Sequence, residues 1–230
     1  MTMKELLLLT PTVIKELATE LVRRGDECMR ADQTSQLTAC FFLAIRSVSL
    51  LCGMEFLLKP NTRDSWDVLA RSFMESRDLL IDFRFDDRGT RQKVHAWFQG
   101  NVWKAAHKRC ETFIDRAGRS DSELGRRWSM FSALSHPTIQ AARNSTAMTV
   151  SWVSGRVRIE GFDSIMEAKL ADFLVSISTL IIVTTFDLPG WIPLGCELSR
   201  MPNVEPFRLS VAQTVLPIHG RNKDASIPLP

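Results

Sequence analysis

"RDSWDVLARSFMESRDLLIDFRF", residues 63–85, confines its charge to one narrow place, and that decides the fold class. Wound as an α-helix at about 100° per residue, it brings Asp64, Asp67, Arg71, Glu75, Asp78 and Asp82 into an arc of about 80°. Leu69, Phe73, Leu80 and Phe83 fall roughly opposite, flanked by Val68, Met74, Leu79 and Ile81. A surface helix shows a wider polar face than this. A helix that is apolar round most of its circumference is embedded among other helices. The stripe itself reads in three ways. It is a solvated face, with Arg71–Glu75 an i,i+4 pair worth about 0.2–0.5 kcal/mol. It is a covered salt-bridge network, in which Arg71 neutralises part of the acid charge and Arg46, set in the preceding apolar run, adds a second cation. Or it is the floor of a polar cleft holding Arg71 and Glu75, with Asp78 and Arg46 as binding groups.

The flanking sequence repeats the helical pattern. Thr10-Pro11 reads as an N-cap with proline at the first helical position, opening a helix to about 30. A second helix covers roughly 33–58 and stops before Pro60, and the third runs from 61–64 to 85. The cluster Asp86-Asp87-Arg88-Gly89 breaks it, and a fourth helix spans about 90–117. Ser120 and Glu123 form a capping-box signature for a fifth, closed by Pro137. A sixth covers about 163–186. Long elements on short connections predict a mainly α bundle of about six helices.

Between the last two helices the period falls to two. In "MTVSWVSGRVRIE", 148–160, a turn at Ser154-Gly155 places Val150, Trp152, Val157 and Ile159 on one face of a β-hairpin. Residues 1–187, hairpin included, then form one domain. Beyond 187 seven of the ten prolines fall in the last 42 residues, which argues against a long helix. The segment 188–230 is expected to wrap the bundle in extended form. Within it, 207–211 could add a strand to the hairpin, and the last ten or so residues are loose.

Composition bounds the chemistry. The net charge of +3 is too mild to imply a polyanion partner by itself, and 21 of the 29 basic residues are arginine. The five cysteines form no CxxC pair, so neither a zinc site nor a disulfide framework is indicated; reduced thiols in a cytoplasmic protein are the expectation. The opening "MTMKELLLLTPTV" is too short in its apolar run for a signal peptide. The apolar stretches 37–58 and 170–186 contain Arg46 and Glu55, and Asp172, and read as buried helices rather than membrane spans. No P-loop, GxGxxG, HExxH or GxSxG sequence is present, so no cofactor or metal is expected.

The stretch "RRWSMFSALSHPT", 126–138, supplies the remaining candidates. Ser129, Ser132 and His136 fall on one side of its helix, opposite Trp128, Phe131 and Leu134. His136 either caps the helix, where the dipole favours it by about 0.3–1 kcal/mol, or serves as an acid–base group. The second role requires Arg71 or Glu75 to lie across from it.

These two stretches carry a resemblance. "LARSFMESRDLLIDF", 69–83, resembles the R-S-x-x-E helix motif of an uncharacterised bacterial helical family, domain-of-unknown-function family 5677, and "SALSHPT", 132–138, resembles its S-x-x-x-H-P element. That family is distantly similar to the HEPN superfamily of helical bundles, often dimeric, found in toxin–antitoxin and phage-defence systems and including metal-independent ribonucleases. The resemblance implies a polar site from Arg71, Glu75, Ser132 and His136 acting on RNA or a nucleotide. The superfamily's arginine lies four to six residues before its histidine; here positions 129–131 are Ser129, Met130 and Phe131. That departure favours the alternative, a non-catalytic interaction module forming a homodimer or holding a protein partner.

Overall fold

A computed structural model describes residues 1–58, 63–101, 110 and 162–215. Six α-helices lie within them: α1 (Met3–Ala31), α2 (Gln36–Phe56), α3 (Arg63–Phe83), α4 (Arg88–Phe98), α5 (Phe162–Thr185) and α6 (Val204–Thr214). The expectation of a mainly helical bundle is met. The expected fifth helix, the hairpin 148–160 and the loose last ten residues lie outside the described residues. Helix α2 is the centre of the packing and touches α1, α3, α4 and α5.

The first helix begins a full two turns earlier than Pro11. Thr2 and Glu5 close a reciprocal capping box, Thr2 N–H donating to Glu5 Oε2 at 2.7 Å and Glu5 N–H to Thr2 Oγ1 at 3.3 Å. Pro11 therefore sits inside α1, where its missing N–H orphans the carbonyl of Leu7. Thr10 Oγ1 donates to that carbonyl at 2.8 Å, so the local rule for a proline start is overridden by a side-chain substitute. Leu6, Val13, Ile14, Leu17 and Leu21 then face the core at helical spacing.

The fourth helix is shorter than expected. Asp87 caps it, accepting from Thr90 N–H at 2.8 Å, but it ends at Phe98, and Gly100 adopts φ 89°, a left-handed value that stops helical winding.

After α5 the chain runs without regular structure over 186–197, as the proline content requires. Leu188-Pro189-Gly190-Trp191 makes a turn closed by Trp191 N–H to Leu188 O at 3.0 Å, with Gly190 at φ 82°, the type II requirement at its third position. The turn pairs back on α3: Ile192 N–H donates to Arg84 O at 2.7 Å and Asp86 N–H to Gly190 O at 2.9 Å. Residues 207–211 form no strand. They belong to α6, and Val204, Phe207, Arg208 and Val211 are buried at helical rather than alternating spacing. Pro206 is tolerated because it stands in the first turn, where no intrahelical N–H bond is due.

Arg84 ties these parts together. Its side chain is fully buried and donates to Val183 O (2.6 Å), Phe186 O (3.0 Å), Ile192 O (3.0 Å) and Asp187 Oδ1 (2.9 Å). It thus caps the carbonyl end of α5 and holds the returning strap, with Trp191 stacked 4.4 Å from the guanidinium. On the far side Glu20 of α1 accepts from Glu197 N–H (3.1 Å), and Glu16 accepts from Asn203 N–H (3.0 Å) at the start of α6.

Candidate functional site

Helix α3 distributes its acidic stripe into separate ion pairs. Asp67 is buried and meets Lys169 of α5 at 3.1 Å, whose ammonium also lies 4.9 Å over the Trp66 ring. Asp78 is buried beside Arg77, which donates to its Oδ1 from Nε (3.0 Å) and Nη2 (2.7 Å). The thiol of Cys110 donates to the Asp78 carbonyl at 3.4 Å. Asp82, also buried, accepts from Lys93 of α4 at 3.0 Å. A buried carboxylate without a cation would be held uncharged or not at all, so each pair is the condition for its acid to be there.

A covered network is one of the three readings of the stripe, and the second cation expected for it was Arg46. Arg46 is exposed and donates Nε to Ser76 Oγ at 3.1 Å; among the described residues no carboxylate meets it. The charge is balanced instead by Lys169, Arg77 and Lys93. Arg77 points about 120° away from the stripe as a helical wheel draws it, and only its long side chain brings the guanidinium back. Lys169 had a visible signal: it is the one lysine beside the apolar run of the sixth expected helix.

Arg71 and Glu75 behave differently from their neighbours. They form the i,i+4 pair expected of a solvated face, at 3.0 Å, with side chains 20% and 50% exposed. Of the candidate site residues, the structure brings these two together, sets Arg46 near them through Ser76, and places Asp78 in its own buried pair. Ser132 and His136 lie outside the described residues, and with them the expected approach of Glu75 to His136.

The cysteines are all free thiols. Burial pushes Cys40 and Cys196 up to about 12, and raises Cys28 and Cys52 as well, so these four stay protonated and weakly nucleophilic near neutral pH. Among the described residues no three His, Cys, Asp or Glu side chains group as metal ligands. No family model matches the chain, and no curated protein or solved structure matches it.

Proposed function

We propose that this chain is a helical interaction module, a scaffold whose outer faces hold another protein chain, rather than a ribonuclease. One observation carries the reading: Asp67, Asp78 and Asp82, the core of the charged stripe, are buried and bound to Lys169, Arg77 and Lys93. Acid–base or phosphate chemistry needs groups that meet a substrate, whereas Asp67 and Asp82 hold α3 against α5 and α4, and Asp78 is paired within α3 itself. The missing arginine before His136 points the same way.

A second reading keeps the HEPN-like ribonuclease of a bacterial conflict system. It is favoured by Arg71 and Glu75, which reach solvent side by side and retain the motif residues of the resemblance. Incubating the purified chain with single-stranded and structured RNAs separates the two. The module reading expects intact RNA with wild type and Arg71→Ala alike. RNA cleavage that His136→Ala or Arg71→Ala abolishes, with the helical circular dichroism unchanged, would establish the enzyme instead.

A further inference from the structure

We draw no further inference here: the strongest candidate, the exposed face of α2 along Phe42, Arg46, Ser49 and Cys52, already rests Phe42 against the Phe98 ring of α4, and nothing in the structure shows what covers the remainder.

Discussion

Replacing Arg84 by methionine keeps most of the side-chain volume and removes every donor. The guanidinium serves three main-chain carbonyls, those of Val183, Phe186 and Ile192, and the carboxylate of Asp187. Asp187 is 58% exposed, so that arm is screened and contributes little. The three carbonyl bonds come from a charged donor in a dry site, each worth about 1.5–3 kcal/mol net. Burial opposes them: loss of hydration is the largest influence on the Arg84 side chain and draws its pKa down from its ordinary value. Taking the low end of that net range for each of the three bonds leaves a loss of about 4 kcal/mol for Arg84→Met, against a total stability of about 5–15 kcal/mol for a typical domain. Arg84→Lys, which keeps the charge but cannot fork to three carbonyls, should lose about half as much. Urea unfolding followed by circular dichroism reads both, with an unchanged slope showing that the same surface is exposed. A loss under about 1 kcal/mol for Arg84→Met would refute the claim that this residue fastens the strap to α5.

Asp78→Asn leaves Arg77 buried without its counter-charge and should cost about 3–5 kcal/mol in the same assay, whereas the double change Arg77→Met, Asp78→Leu should recover most of it. Pro11→Ala should stabilise the chain, by up to about 3 kcal/mol, since proline inside a helix forfeits a hydrogen bond. A neutral result would mean that α1 effectively starts at Pro11. The Arg23 side chain, and next the Glu197 N–H, hold the Glu20 carboxyl below its usual value near 4.5. A depressed folded-state pKa gives stability that is complete above the unfolded value and is lost as pH falls through the folded one. Unfolding midpoints of wild type should therefore drop below about pH 4.5 more steeply than those of Glu20→Gln, and parallel curves would count against the clasp.

How much of this was legible in the sequence follows from the range of each interaction. Periodicity is local, so the burial of Phe73, Leu80 and Phe83 opposite a narrow charged stripe could be read from 63–85 alone. The break after α3 could be read too, because Asp87 caps the next helix from three residues away. Two misreadings came from local rules that a second group overrides. Thr10-Pro11 has the form of a helix start, and only the Thr10 hydroxyl on Leu7 O lets the helix run through it. Pro206 weighed against a helix at 204–214, although the first turn is where proline costs least. The cations of α3 come from as far away as Lys169, a sequence separation that no window spans. Arg84 left no trace at all, since its partners lie about a hundred residues on and are main-chain carbonyls, which every residue possesses.

Burial divides the charged residues of this chain into two populations with different consequences. Asp67, Asp82, Arg84 and Lys169 are buried and join α3 to its neighbours and to the strap, while buried Arg77 and Asp78 pair with each other within α3. Removing one member of such a set leaves a buried charge or a bare carbonyl, so selection on folding alone can retain it. Arg46 and Glu75 are exposed, whereas the Arg71 side chain is only 20% exposed. The Arg71–Glu75 pair itself adds about 0.2–0.5 kcal/mol. If related chains keep it while varying other exposed positions of α3, that would argue for contact with a partner or ligand at this edge. Arg46 of α2 reaches the same edge through its bond to Ser76.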